Sequence, residues 1–262
     1  MNIEFKWVGG ATWVLQVDRI KIACDPVLCP GGHIQDYRYF KTRRLNSPRY
    51  SESDFQNVHL WLITHKHEDH IDRYGFKLID RNSTIVSHKG LRSYFKQDIY
   101  RNLRFPGWHE EINLSVGGMN IEIRALPGIH AKRTLLSSIV GNGNGYLLDI
   151  TGDDARYCIY VTGDSVYNTS VKKYIGASNI DLIIANAGSA MVGKSFLSSF
   201  IGRITNNISD VIKMNTELNP KILIPVHWGT FSHYTEKITA DSFNRYNNIR
   251  VVDVGESINL AR

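Results

Sequence analysis

Five apolar runs recur along the chain, each of strand length and each ending in polar residues: HLWLIT (59–64), IEIRALPGIH (121–130), CIYVTGDS (158–165), DLIIANAG (181–188) and KILIPVHWG (221–229). Continuous runs of this kind, bounded by turn residues, predict strands buried on both faces of a covered sheet. In open α/β sheets ligands gather beyond the strand ends. The polar tips, HKHEDH (65–70), His130, Asp164, Asn186 to Gly188 and His227, are therefore expected to meet in one place.

Helical spacing and stop signals predict helices over 72–80, 88–97, 168–175, 208–218 and 239–246. The fourth carries apolar Ile208, Val211, Ile212 and Leu218 ahead of Asn219-Pro220. Hairpin turns are expected at Val116 to Asn120 and at Thr151 to Ala155. Strand pairs and helices alternate through both halves. With no repeat, linker or shift in composition, residues 1–262 read as a single α/β (α+β) domain.

Composition adds limits. Of the 262 residues, 42% are hydrophobic, enough for a sizeable core. Nothing approaches the roughly 18 consecutive apolar residues of a membrane span. The opening Met1 to Trp7 is patterned like a strand rather than a signal peptide. The three cysteines, Cys24, Cys29 and Cys158, are odd in number and lack CxxC spacing, which argues against a zinc ribbon and a disulfide framework and suits a reducing cytoplasm. The net charge of +6 is concentrated in part at Arg38, Lys41, Arg43, Arg44 and Arg49, among Tyr37, Tyr39, Phe40 and Tyr50. That segment reads as a solvated surface loop, with a lid over an acidic substrate as the alternative.

The HKHEDH turn carries the chemistry. Three of only ten histidines fall within six residues, beside Asp69. Histidines two apart, His65 and His67, point the same way and can bind one metal ion, while Asp69 and His70 face a second as the chain turns. A serine triad or a lone general base needs one histidine, so the cluster is over-supplied for metal-free nucleophilic catalysis. A pair of metals also needs a bridging anion and further histidines. His130, Asp164 and His227, each at a strand end, are the candidates.

Together, HKHEDH, LPGIH, VTGDS and PVHWGTF resemble the metallo-β-lactamase superfamily from near residue 1 to the end of the chain. Within it, VGGATWVL, CDPV and PVHWGTF are similar to the L-ascorbate-6-phosphate lactonase-like branch, itself near the N-acyl-phosphatidylethanolamine phospholipase D branch. The resemblance implies a four-layer αββα sandwich of two mixed β-sheets with the site at one edge. It implies that His65, His67 and His130 hold a first metal and Asp69, His70 and His227 a second, with Asp164 bridging. Two divalent ions are implied, zinc by the habit of the superfamily, with manganese or iron also compatible with an N/O shell. Such a pair would activate a shared water as hydroxide, oriented by Asp69, against an ester, lactone, amide or phosphodiester.

His33, His59, His88 and His109 read as ordinary structural or surface residues. His233 is a candidate to line the pocket or donate a proton. Asp25 reads equally as a turn former and as a neighbour of the site, and the loop from Asn186 through Lys194 is a candidate pocket wall. The leading expectation is a metal-dependent hydrolase of a small, anionic lactone or phosphoester. The alternative is a phosphodiesterase or nuclease of the same superfamily, though no large basic arm for nucleic acid is present. A non-catalytic metal scaffold is the third reading, disfavoured because seven metal-compatible side chains exceed a closed structural shell. A homo-oligomer stays open.

Overall fold

The structure is a computed structural model that describes residues 1–37, 40–129, 142–152, 155–191 and 202–260. Two large sheets face each other among these residues. The first holds seven strands in the order β15-β1-β2-β3-β6-β7-β8. They are β1 Ile3–Gly9, β2 Thr12–Val17, β3 Ile20–Cys24, β6 Leu60–Ile63, β7 Thr84–Ser87, β8 Asn102–Arg104 and β15 Ser257–Asn259. The second runs β14-β13-β12-β11-β10-β9. It comprises β9 Glu111–Val116, β10 Met119–Ile129, β11 Asn142–Thr151, β12 Arg156–Val161, β13 Leu182–Asn186 and β14 Ile222–Val226. A small hairpin, β4 Ile34–Asp36 with β5 Lys41–Arg43, stands apart from both.

Both large sheets are mixed, with β3, β6, β7 and β8 parallel in the first and β12, β13 and β14 parallel in the second. Four of the five apolar runs sit in those parallel parts, the run at 121–130 lying instead in β10, antiparallel to β9 and β11, and β6 and β13 are buried at every position. A strand covered on both faces has no solvent side on which to place a polar residue, which is why these segments do not alternate. Trp7, Trp13, Leu15 and Leu62 meet Ile121, Tyr146, Ile184 and Val226 between the sheets. Each such side chain contributes about 1.5–3 kcal/mol on burial.

The outer layers are helical but thin. On the second sheet lie α3 Thr169–Ile175 and α4 Ile208–Leu218, whose Val171, Ile175, Val211 and Met214 pack on Tyr160, Ile183 and Leu223. On the first sheet lie the single turns α1 Glu52–Phe55 and α2 Arg73–Phe76. The result is the four-layer αββα sandwich. Helix α4 forms where expected because both ends are capped, by Asn207 with Asp210 in a capping box and by Asn219 in the left-handed conformation at φ 45°.

Three expected helices are shorter than the spacing predicts. Over 72–80 only one α-turn forms, over 88–97 only the 3-10 turn Lys89–Leu91, and over 239–246 only the 3-10 turn Ala240–Phe243. Gly75 and Gly90 lower helix propensity in the first two, and the His88 side chain accepts the Gly90 N–H as a cap that closes a tight turn. Both hairpins form as expected, through Gly117-Gly118 between β9 and β10 and with Thr151 opposite Arg156 between β11 and β12. All three cysteines are free and buried.

The reading of the basic segment around Arg38 to Arg49 as a solvated loop is corrected at Arg44, which is fully buried. Its Nη1 donates to Val27 O at 2.8 Å and its Nε to Asn46 O at 2.9 Å, while the guanidinium lies 5.3 Å from the Phe231 ring centroid. Among the described residues no carboxylate pairs with it, and carbonyl dipoles and an aromatic face compensate the charge. No helix among the described residues is long and apolar enough to cross a membrane.

Candidate metal centre

The site forms where β6, β12, β13 and β14 end together. After β6 the chain turns at HKHEDH, held by the N–H groups of His70 and Ile71 donating to His67 O at 2.9 and 3.0 Å. Asp72 then caps α2 with Oδ1, which accepts from Tyr74 and Gly75, and ties the CDPV segment down with Oδ2, which accepts from Leu28 and Cys29. After β12 the chain turns at Gly163, φ 56°, to deliver Asp164. A Cβ there would lie 2.7 Å from Asn144 O, so a side chain would push Asp164 out of place. His227, just after β14, also has a left-handed backbone at φ 70°, uncommon for a residue with a side chain and found disproportionately at functional sites.

Asp69, His70, Asp164 and His227 are all buried, and each presents one donor atom within 4.8 Å of the others. His70 Nε2 lies 3.0 Å from His227 Nε2 and 3.2 Å from Asp164 Oδ2. His227 Nε2 lies 3.5 Å from Asp164 Oδ1 and 3.8 Å from Asp69 Oδ2. Donors arranged tetrahedrally on an ion with bonds of about 2.0–2.2 Å stand roughly 3.4 Å apart. The separations scatter around that value, so the donor set fits a divalent cation. Beside it, His65 Nε2 and His67 Nδ1 approach to 2.9 Å.

The protonation pattern points the same way. His70 Nδ1 is 2.7 Å from Asp25 Oδ2, so that nitrogen carries a hydrogen and the Nε2 lone pair faces the cluster. Without a cation that lone pair takes up a proton: burial opposes it, but the carboxylates of Asp164 and Asp25 prevail and hold the His70 pKa well above its ordinary value. Burial pushes His227 the other way, down to about 3, and the charge on His70 adds to this. Asp69 is lowered; burial works to raise it, but His70, His233 and His227 outweigh that.

Of the residues expected here, His65, His67, Asp69, His70, Asp164 and His227 come together at one sheet edge. His130 and Lys194 lie outside the described residues. His233 lies beside the cluster with its side chain buried, its Nδ1 2.8 Å from Thr42 Oγ1 and its Nε2 3.6 Å from Asp69 Oδ2, and burial lowers its pKa. Both readings of Asp25 hold: it turns the chain at φ 41° and also bonds the site. His59 accepts the Lys21 N–H and His33 packs edge-on to Tyr74, in keeping with structural roles.

Several partners escaped the sequence reading. The hydroxyl of Thr64 donates to Asp25 at 2.7 Å and that of Tyr234 lies 2.7 Å from the ring nitrogens of His227. Tyr37 reaches Asp69 Oδ1 at 2.7 Å. Asn186 donates from Nδ2 to Asp164 Oδ1 at 2.8 Å, and its place at a strand tip was the one available signal.

The chain is similar to several known proteins. N-acyl-phosphatidylethanolamine-hydrolyzing phospholipase D 1 of Caenorhabditis elegans is 23% identical over 86% of this chain, which spans only 63% of that protein's length. A metal-dependent hydrolase of Alkaliphilus metalliredigens is 18% identical over 98% of this chain and all of its own. Among solved structures, a possible metal-dependent hydrolase from Veillonella parvula superposes with a TM-score of 0.80 at 20% identity, covering 98% of this chain and 99% of that one, and so has the same fold. Residues 4–227 match the family model described as the beta-lactamase superfamily domain, and with the paired sheets and the histidine-aspartate cluster at their edge the chain belongs to that superfamily.

Proposed function

We propose that this chain, a single domain, is a metal-dependent hydrolase that works with two divalent cations on a small anionic substrate. The observation that carries this reading is the buried cluster of Asp69, His70, Asp164 and His227, four donors within 4.8 Å at the common end of parallel strands. In this reading Asp69, His70 and His227 would hold one ion, His65, His67 and His130 would hold the other, and Asp164 would contribute its carboxylate to the shared set. The ions would be zinc, or manganese or iron, since an N/O shell accepts all three. When bound, they supply Lewis acidity, bringing the pKa of water toward neutrality and polarising an ester or phosphoryl oxygen.

The side chains do the positioning. Asp25 and Thr64 fix the tautomer and ring orientation of His70, and Asn186 fixes Asp164. Asp69 orients the attacking water. His233 stays neutral through burial, and when the Thr42 hydroxyl donates to its Nδ1 the proton resides on Nε2, ready to hydrogen-bond a leaving group.

A lactone or phosphoester is the proposed bond. Net charge +6 supports an anionic substrate. The likeness to a phospholipase D that hydrolyses N-acyl-phosphatidylethanolamine supports a phosphodiester as the second reading. The experiment is metal analysis of protein purified without added metal, followed by turnover of simple lactones, phosphomonoesters and a bis-aryl phosphodiester with the metal found. About two equivalents of metal and hydrolysis of one class are expected. A chain that takes up metal but hydrolyses none of these would overturn the catalytic reading.

A further inference from the structure

The hairpin of β4 and β5 lies between the two loops that carry the cluster and bonds to both. On the HKHEDH side, Gln35 Nε2 donates to Glu68 O at 2.7 Å, and Tyr37 meets Asp69 twice. The Tyr37 hydroxyl donates to Asp69 Oδ1 at 2.7 Å, and its oxygen accepts the Asp69 N–H at 3.0 Å. On the HWGTF side, Thr42 Oγ1 reaches His233 Nδ1 at 2.8 Å, and the N–H of Ser232 donates to Arg43 O at 2.9 Å. The Tyr37 ring is stacked on Phe40, centroids 4.9 Å apart and planes 6° apart, with the His67 ring edge-on at 5.7 Å.

The consequence falls on Asp69. With Oδ1 taken by Tyr37, Oδ2 is the oxygen left facing His227 at 3.8 Å and His233 at 3.6 Å. A free carboxylate can bind an ion through either oxygen or both, whereas one whose Oδ1 accepts the Tyr37 hydroxyl, on a backbone whose N–H donates to that same hydroxyl oxygen, is set to offer a single, oriented oxygen. We propose that Tyr37 is a positioning residue that holds Asp69 as a one-oxygen donor, and that the hairpin thereby fixes the half-site of Asp69, His70 and His227. This rests on the two-ion reading above, but concerns only the ion that Asp69 touches.

The test is Tyr37→Phe in the full chain, titrated metal-free with Zn²⁺ against a chromophoric chelator and separately with Co²⁺ followed by its visible spectrum. Loss of a partner that orients a metal ligand costs about 10–100-fold in affinity. One equivalent is expected to weaken by that factor while the other is unchanged. The Co²⁺ bands of the weakened site should lose intensity as the released carboxylate binds through both oxygens and coordination number rises. A merely structural role would instead lower the melting temperature of the metal-free chain and weaken both equivalents together. Phe40→Ala, which unstacks the ring but keeps the hydroxyl, should give the same split in smaller measure and serves if Tyr37→Phe fails to fold. Lys41→Ala, at the exposed Asp36 ion pair, should change neither equivalent.

Both equivalents bound with unaltered affinity and spectrum in Tyr37→Phe would overturn the inference. If the wild-type chain takes up a single ion, the two-ion reading fails, and the inference survives only if Tyr37→Phe weakens that ion. If it takes up none, both fall.

Discussion

Asp25 Oδ2 lies 2.7 Å from His70 Nδ1, with both side chains buried and the Thr64 hydroxyl closing the triangle on the same oxygen at 2.7 Å. The carboxylate can only accept, so it selects the His70 tautomer whose other nitrogen faces Asp164 and His227.

Asp25→Asn should disturb that selection, because an amide nitrogen turned toward Nδ1 offers a hydrogen where one is needed from the ring. Metal affinity should fall about 10–100-fold. Chelator competition measures it, and an unchanged affinity would show that the tautomer is set elsewhere.

Asp164 touches two histidines of the cluster, through Oδ2 to His70 and Oδ1 to His227. Asp164→Ala, like His67→Ala, should leave a folded chain but lower hydrolysis at least about 10³-fold, roughly 4 kcal/mol of lost transition-state stabilisation. Turnover at saturating metal, with circular dichroism as the folding control, decides it. Full activity in either variant would contradict the mechanism.

The two buried histidines give the metal-free chain opposite pH limbs. The folded pKa of His70 is raised, so its contribution is fully present below the unfolded value of about 6.5 and is lost as pH rises through the folded value. The folded pKa of His227 is about 3, so it stays neutral while the unfolded chain takes up a proton, and stability is lost as pH falls from about 6.5 toward 3. The melting temperature in chelator should therefore peak near pH 6.5. Saturating metal, which replaces the His70 proton, should abolish the fall on the basic side. Melts from pH 5 to 9 with and without metal test this, and a metal-free curve that climbs steadily to pH 9 would refute it.

Arg44 is fully buried against Val27 O, Asn46 O and the Phe231 ring. Arg44→Ala should cost about 2–4 kcal/mol, since it leaves a cavity, removes the donor of Asn46 O and leaves Val27 O only the longer bond from the Thr12 hydroxyl. Arg44→Lys should rescue little, because an ammonium cannot reach both carbonyls and lie on the ring. Urea unfolding provides the measure; a loss under about 0.5 kcal/mol in the alanine variant would mean the burial is not stabilising.

Gly75 packs so closely on the CDPV turn that a Cβ would lie 2.0 Å from Pro26 O. Gly75→Ala should destabilise by about 1–3 kcal/mol through overpacking and displace Asp72 from Leu28 and Cys29. A crystal structure or melting curve indistinguishable from wild type would count against that close approach.

Most of the cluster was legible before any coordinates because its donors are rare residue types placed at strand ends. HKHEDH carries four of them in one turn, and Asp164 and His227 each follow an apolar run that has no other use for a charged tip. Helix α4 was legible for a similar reason, since its apolar spacing and both caps lie within its own segment. The turns at 73–76, 89–91 and 240–243 were not, because an isolated helix of that length is marginal and packing on the sheet decides how much of it forms.

What the sequence determined by itself is local: which segments are buried strands, where they turn, and which chemical groups wait at the turns. The tertiary structure decided the partners. Tyr37 lies 32 residues from Asp69, Asp25 lies 45 from His70, and Arg44 stands in a polar, basic stretch that reads as solvated. Periodicity reports only the face that a segment turns inward, over a few residues. A contact between segments depends on how sheets, hairpin and loops dock, and that is fixed by the summed burial of the whole core rather than by either residue alone.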